Sequence, residues 1–428
     1  MEAKRPILCI FERLEHFVGF ESMDFSYFVG KKLATQSGKT FTRLIIRLAI
    51  AAVGISLAVM LLAVGVVKGF QSEVKNKVVG FDGHIHIRNL DLNQSRELKL
   101  IPLDQEFIDT IRNHPNVTSL SPFCLKAGII NTSREIEGMV FKGVPKNYDW
   151  SFISENLKKG RLPALQDSID TYEFVLSQKV ADRLQIDTGQ VLDVFFIQDA
   201  KVRRRRMALV GIFNTGLGEF DKTICFTDIR VIQRIYTTDY SQVSGFEINI
   251  NDLSLMEPMT DWIDDQIGIK LRAENIEEKH VVIFKWLKIV DSNALIIIIL
   301  MTIVSVVNLI TAFLILIIDR TQMIGILKSL GANNNQVVKV FLLKGLSMVI
   351  PGLIIGNAIG LGLAWLQLKT GLITLPEETY YMATVPVEIS LETILFLNVG
   401  TLIISLLMML IPAIMVRFIT PVKAIRFN

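Results

Sequence analysis

Residues 294–318 read ALIIIILMTIVSVVNLITAFLILII, a stretch without one charge or proline. As an α-helix rising about 1.5 Å per residue it is about 37 Å long, which exceeds the roughly 30 Å hydrocarbon core of a bilayer. It reads as a membrane-spanning helix. Leu44 to Val67, Leu342 to Leu366 and Leu391 to Val416 pass the same test, so four spans are expected. Half of the 428 residues are hydrophobic and a fifth charged, and a net charge of only +3 argues against nucleic acid as a partner.

Between the first two spans the chain changes character. From about Gln71 to Lys279 it is polar and mixed, with alternation at period two in His84-Ile85-His86-Ile87 and in Phe246-Glu247-Ile248-Asn249-Ile250, the mark of strands with one buried face. Glu173 to Phe196 reads as a strand, a helix over Ser177 to Leu184, a turn at Asp187-Thr188-Gly189 and a second strand. The expected fold class is a membrane protein with four transmembrane α-helices and a large α+β extracytoplasmic domain inserted between helices 1 and 2.

Lysine and arginine in short flanking segments stay on the cytoplasmic side. Lys31, Lys32, Lys39 and Arg43 precede the first span, Arg320, Lys328 and Lys339 follow the second, and Arg417, Lys423 and Arg426 follow the fourth, so both termini are expected inside. Glu377, Glu378, Glu388 and Glu392 against Lys369 mark the opposite side. The expected parts are a cytoplasmic segment 1–43, a first span 44–70, the α+β domain 71–279, an interfacial stalk 280–293, a second span 294–318, a cytoplasmic loop 319–341, a third span 342–366, an outside loop 367–390, a fourth span 391–416 and a cytoplasmic tail 417–428. No short apolar core with a small-residue cleavage site opens the chain, so the first span is expected to target it, and Met23 is an alternative start.

Within the third span, Gly352, Gly356 and Gly360 recur every four residues behind Pro351 and offer a face on which another helix can approach closely. Cys9, Cys124 and Cys225 form no C-x-x-C pair, and one disulfide between Cys124 and Cys225 is left open. His84 and His86 share a strand face, but no third metal ligand accompanies them, so a surface strand with two polar residues is preferred and no metal site is expected. Gly216-Leu-Gly-Glu-Phe-Asp221-Lys222-Thr223 approaches a phosphate loop, yet Asp221 stands where a glycine must admit the nucleotide, and Ser37-Gly38-Lys39-Thr40 lacks its upstream glycine at Leu33. No ATPase site and no catalytic residues are expected. Arg203, Arg204, Arg205 and Arg206 run between two apparent strands, Val191 to Ile197 and Ala208 to Phe213, and read as a solvated loop or a contact for an acidic partner or anionic headgroups.

Asn308 through Asp319-Arg320-Thr321-Gln322-Met323-Ile324-Gly325-Ile326-Leu327-Lys328-Ser329-Leu330-Gly331-Ala332, followed by Gln336 to Gly345, resembles the signature of FtsX-like permeases, as does the tail Pro421-Val422-Lys423-Ala424-Ile425-Arg426. Val64-Gly65-Val66-Val67-Lys68-Gly69-Phe70-Gln71, Phe141-Lys142-Gly143-Val144-Pro145, Gly218-Glu219-Phe220-Asp221 and Val385-Pro386-Val387-Glu388-Ile389 resemble, in this order, the lipoprotein-releasing branch called LolC/LolE, which belongs with MacB-like permeases.

The resemblance implies a bacterial inner-membrane permease subunit of an ATP-driven transporter that moves lipoproteins toward the outer membrane. ATP and Mg are then held by a separate cytoplasmic ATP-binding subunit in two copies. Other implied partners are a second permease, identical or homologous, membrane lipid, the lipoprotein cargo and a periplasmic carrier. Gln322, Met323, Gly325, Lys328, Ser329, Gly331 and Ala332 would form the loop gripped by the ATPase, with Gly331 closing one helix in a left-handed cap and Asn333 to Asn335 capping the next. Met323 departs from the acidic residue usual in that loop. The segment Gln198 to Arg206 lies where the branch carries a hook for its chaperone, but is short and lacks proline, so Arg203 to Arg206 stand as chaperone-contact candidates. Met60, Val64, Leu309 and Phe313 are taken as lining a lipid-facing cavity, by position on their spans alone. Two rivals remain, an exporter of the same fold with another substrate, MacB-like, and an FtsX-like signalling scaffold controlling cell-wall hydrolases.

Overall fold

The computed structural model describes residues 40–90, 99–132, 135–236, 240–376 and 380–415. Met23, Lys31, Lys32, Lys39, Glu377, Glu378, Arg417, Lys423 and Arg426 lie outside the described residues. The chain divides into two compact units, a helical one (Met1–Gly69, Val290–Gly371 and Pro386–Asn428) and an α+β one (Phe70–Ile289 and Leu372–Val385).

Five helices carry the helical unit: α1 (Thr40–Asp82), α2 (Val281–Asp319), α3 (Thr321–Ser329), α4 (Asn334–Thr370) and α5 (Leu391–Ile414). Among the described residues, α1, α2, α4 and α5 are long and apolar enough to cross a membrane. Three of the long helices run beyond the spans read in the sequence. α1 does not stop at residue 70, because Val74, Val78 and Phe81 continue at i, i+4 and i+7 as one apolar stripe, fully buried in the α+β unit. It ends where Gly83 takes φ +70° and its N–H reaches the Val79 carbonyl at 2.6 Å. α2 begins at Val281, inside the expected stalk, with Phe284 and Leu287 buried. α4 begins at Asn334, directly after the expected cap Asn333, so residues 334–341 of the cytoplasmic segment are its first turns.

In the α+β unit the strands are β1 (Ile85–Asn89), β2 (Ile101–Pro102), β3 (Val117–Asn131), β4 (Ile136–Val144), β5 (Leu157–Gly160), β6 (Glu173–Ser177), β7 (Val191–Gln198), β8 (Lys201–Phe213), β9 (Ile224–Asp228), β10 (Gln242–Val243), β11 (Gly245–Ile250) and β12 (Leu271–Asn275). Pairing runs β3-β4-β9-β6-β8, and β7 bonds to both β8 and β3, so six strands close into a ring. The length of β3 makes this possible: its second half pairs β4 and β7, while its first half pairs β11, which leads to β1 and β12. Phe141, Phe174 and Phe196 fill the ring.

The segment Leu372–Val385, between α4 and α5, is also part of this unit. Met382 is buried in its core, with Leu375 and Tyr381 packed against it. Lys77 on α1 donates to the carbonyls of Tyr381 at 2.8 Å and Thr215 at 3.1 Å.

Candidate functional site

α3 is a short helix set between two long ones. Arg320 breaks the helix after α2, so Gln322, Met323, Gly325, Lys328 and Ser329 sit on a separate element instead of continuing the second span. Its end is a paired-bond cap: Gly331, at φ +95°, donates to the Lys328 carbonyl and Ala332 to the Leu327 carbonyl. Two residues later Asn333 and Gln336 form a capping box that starts α4. The buried side of α3, Ile324 and Gly325, belongs with a cluster holding Val337 and Phe341. Its outer side shows Gln322, Ser329 and Gly331 together with two apolar side chains, Ile326 and Leu330, the latter 79% exposed.

Helix α4 turns its glycines to α1. A Cβ added at Gly352 would stand 2.9 Å from Val53 Cβ, at Gly356 2.7 Å from the Gly54 carbonyl oxygen, and at Gly360 3.2 Å from Ala58 Cα. Gly54 and Ala58 are the small residues of α1 at the matching four-residue spacing, so the two backbones meet. Asn357 on α4 and Asn398 on α5 exchange reciprocal amide hydrogen bonds of 2.7 and 3.0 Å. Two motifs far apart in sequence also come together here. Gly65 faces Val387 and Ile389, Gly69 faces Pro386 and Glu388, and Lys68 Nζ donates to Thr393 Oγ1 at 2.8 Å.

The four residues expected to line a cavity fall into two side-chain clusters. Met60 and Val64 lie in a cluster with Leu57, Leu61 and Leu397, whereas Leu309 and Phe313 lie in another with Leu316, Phe341 and Met409. Met60, Leu309 and Phe313 are buried among this chain's own side chains. The open face of α2 carries Ile296, Ile299, Leu300, Ile303, Val304 and Val307 instead.

Arg203 to Arg206 are not a loop either. They lie inside β8, paired residue by residue with β7 from Arg206↔Asp193 to Arg203↔Phe196. The turn takes only two residues, Asp199 and Ala200, both in the left-handed region (φ 51° and 57°), which matches the twist of a tight hairpin. Alternation splits the four: Arg204 and Arg206 are exposed and Arg203 and Arg205 half-buried. Arg204 holds Asp193 through two bonds of 2.9 and 2.6 Å, and Arg203 donates to the Arg234 carbonyl.

The strand with two histidines is not a surface strand. His86 is 2% exposed, because the polar side of β1 and β11 is covered by the last turn of α1 and by the short helix Ile276–Lys279 that precedes α2. There an ionic cluster is built around Asp82: Lys279 Nζ lies 2.6 Å and His280 Nε2 2.9 Å from its Oδ2, and Lys142 Nζ 3.6 Å and His86 Nε2 3.7 Å from its Oδ1. Lys142 also holds Glu247 Oε2 at 2.6 Å and donates to the Phe81 carbonyl at 3.4 Å. Burial pushes the Glu247 carboxyl up, opposed by Lys142, while for Lys142 itself the Glu247, Tyr148 and Asp82 oxygens outweigh burial and raise its pKa. Burial, then the Lys279 charge, pull His86 down to about 3. Nearby, Asp221 has a structural role: it is buried and accepts the Thr215 hydroxyl at 2.6 Å and the Thr215 N–H at 3.2 Å. Cys124 and Cys225 are free buried thiols, on β3 and β9, so the disulfide left open in sequence does not form.

The folded pKa of His86 lies below the value of about 6.5 that it has in the unfolded chain. The stability held by the neutral ring is thus complete above pH 6.5 and is lost as pH falls toward 3, at about 1.4 kcal/mol per unit. Between pH 7.5 and 5 the α+β unit is expected to lose about 2 kcal/mol more in the native protein than in His86→Gln. Urea unfolding of the detergent-solubilised full chain at both pH values measures this, and equal losses would remove His86 as the cause.

Comparison with known proteins now bears on these features. Residues 48–270, more than half of the chain, match the MacB-like periplasmic core domain, and residues 295–421 match the FtsX-like permease C-terminal domain. The chain belongs to the MacB-like permease family. This permease is 20% identical over 396 residues to the lipoprotein-releasing system transmembrane protein LolC of Xylella fastidiosa (strain 9a5c), covering 89% of this chain and 93% of that one. It is 23% identical over 407 residues to LolE of Haemophilus influenzae, covering 88% and 94%. Among solved structures, the periplasmic region of MacB from Actinobacillus actinomycetemcomitans is 16% identical, spans 50% of this chain and 98% of that one, and superposes with a TM-score of 0.34. The MacB-like permease is thus an ABC-type membrane permease subunit of the bacterial inner membrane, with its α+β domain between the first long helix and the others.

Sequence reading of this permease missed Ile326 and Leu330 at the tip of α3, because apolar side chains beside a span look like part of it. It also missed the Asp82 cluster. The available signal was the helical stripe Val74, Val78, Phe81 running past the span, which puts Asp82 at the end of a buried helix.

Proposed function

We propose that this permease works in an ATP-driven transporter that extracts lipoproteins from the inner membrane and releases them toward the outer membrane. The observation that carries the proposal is end-to-end similarity to lipoprotein-releasing permeases, 89% of this chain against 93% of the Xylella protein. Both termini and α3 lie in the cytoplasm, and ATP and Mg bind a separate subunit present in two copies, which grips α3 from this permease and from a second one. Leu330 and Ile326, exposed at a rigidly capped tip, supply the apolar contact for that grip. Gln322, Ser329 and Gly331 surround them, and the half-buried Met323 and Lys328 set the helix against its neighbours.

The work to be done is large: each acyl methylene leaving the bilayer costs about 0.8 kcal/mol, so spontaneous loss of a lipoprotein with several chains is negligible. Because Met60, Leu309 and Phe313 are closed within the chain, the acyl chains meet the open stripe of α2, Ile296 to Val307, rather than those residues. The β7–β8 hairpin with its exposed Arg204 and Arg206 is the contact for a soluble carrier with an acidic rim.

Reconstitution with the ATP-binding subunit in proteoliposomes loaded with a triacyl lipoprotein tests this. ATP-dependent release is expected, and Leu330→Asp is expected to lower it at least about tenfold by burying a charge at the grip while leaving the melting temperature of the permease unchanged. Transport of a small hydrophobic compound with no lipoprotein release would favour the exporter. Release untouched by Leu330→Asp would remove the tip of α3 from the coupling.

A further inference from the structure

Beside the Asp82 cluster, a cleft of about 270 Å³ opens between β3, β11, the last turns of α1 and the short helix Ser151–Glu155. Strand pairing sets its floor: Ser121 stands opposite Glu247, and Ser119 opposite Asn249. Asn249 is engaged on both sides, donating to Ser119 Oγ at 3.1 Å and meeting His84 Nδ1 at 3.1 Å. Ser121 is different. It is only 6% exposed, it lines the cleft, and its hydroxyl has no hydrogen-bond partner among the described residues. The hydroxyl opens into the cleft instead of being sealed in, so a group entering from outside the chain can reach it.

Charge narrows what that partner is. Glu247, 4% exposed, gives Oε2 to Lys142 at 2.6 Å and leaves Oε1 only a long 3.5 Å contact from the Tyr148 hydroxyl. Asp149 stands exposed on the rim, with Oδ1 accepting the Ser151 N–H at 3.0 Å and no cationic partner among the described residues. No lysine or arginine lines the cleft, so acceptors outnumber donors. Val79, Phe152 and Ile250 form an apolar wall beside them.

We infer that the cleft binds the side chain of a lysine presented on a peptide. The four-carbon stem runs along Val79, Phe152 and Ile250, and the ammonium group donates to Ser121, Glu247 and Asp149. Three single acceptors on different elements suit an ammonium with three separate donors better than the planar fork of arginine, which asks for a bidentate carboxylate. This inference is independent of what the transporter carries.

Ligand-observed NMR titration of the full-length permease in detergent tests it, with Nα-acetyl-lysine methylamide as the probe, the norleucine analogue as the uncharged control, and empty micelles as blank. Saturable binding of the lysine probe alone is expected, weakened about tenfold by Asp149→Asn and by Ser121→Ala. Both variants change surface-accessible groups and are expected to melt with the native protein. Equal binding of the norleucine probe, no binding up to roughly 10 mM lysine probe, or unchanged affinity in both variants would each overturn the inference.

Discussion

Lys142→Met is expected to destabilise the α+β unit by about 3–5 kcal/mol. Lys142 is 2% exposed and sits between Glu247 Oε2 at 2.6 Å and Asp82 Oδ1 at 3.6 Å. Methionine fills a similar volume but leaves Glu247 buried without a cation, and desolvation of an unpaired carboxylate is what makes one-sided removal so costly. Asp82 suffers less, because Lys279 and His280 still hold its Oδ2. The double variant Lys142→Met with Glu247→Leu removes both members of the pair and is expected to recover most of the loss. Urea unfolding of the full chain, followed by a probe in the α+β unit, reads both. A single variant losing under about 1 kcal/mol, or a double variant no better than the single, would mean that the pair is solvated in solution.

Gly356→Leu is expected to be nearly as damaging, for a steric reason. A Cβ there would lie 2.7 Å from the Gly54 carbonyl and 2.9 Å from Leu57 Cβ, closer than real Cβ atoms come. One of the obstacles is backbone, so no rotamer change relieves it; α1 and α4 must separate, which also opens the contacts at Gly352 and Gly360. Overpacking costs about 1–3 kcal/mol, and backbone contact puts this variant at the upper end or beyond. Gly362 supplies the control: it is on the same helix, with nothing within 4 Å of an added Cβ. Thermal melting in detergent should show Gly356→Leu far below the native protein and Gly362→Leu close to it. Equal behaviour of the two would show that helix propensity, not packing, sets the loss.

What could be read from the sequence follows from which signals are local. Apolar length is local, so the four spans and the inserted α+β domain are legible from composition alone. The glycine period at 352, 356 and 360 is local as well, and only its partner, Gly54 and Ala58, needed coordinates. Burial of a charge is not local. His84-Ile85-His86-Ile87 and Phe246-Glu247-Ile248-Asn249-Ile250 alternate as half-buried strands do, yet their polar face is also covered, by the end of α1 and by Lys279, which only the folded sheet brings together. Arginine runs read as loops because four adjacent charges call for water on all sides; on a paired strand, alternation gives each face two of them. Helix facing is not local either: a span shows how long a helix is, and that Met60, Leu309 and Phe313 turn inward needed coordinates.

The discontinuity of the α+β unit sets a timetable for its making. Residues 70–289 leave the ribosome as one piece, but the segment that brings Met382, Leu375 and Tyr381 to the core, and gives Lys77 its Tyr381 acceptor, comes only after residues 290–371. At about 5–20 residues per second those 82 residues take about 4–16 s to synthesise. During that interval an apolar patch and a lysine stand without their final cover, and the domain cannot be completed until the third long helix has been threaded. A fragment ending near residue 289 reproduces this unfinished intermediate permanently, and such a fragment would be expected to bind a holding chaperone that the whole chain escapes.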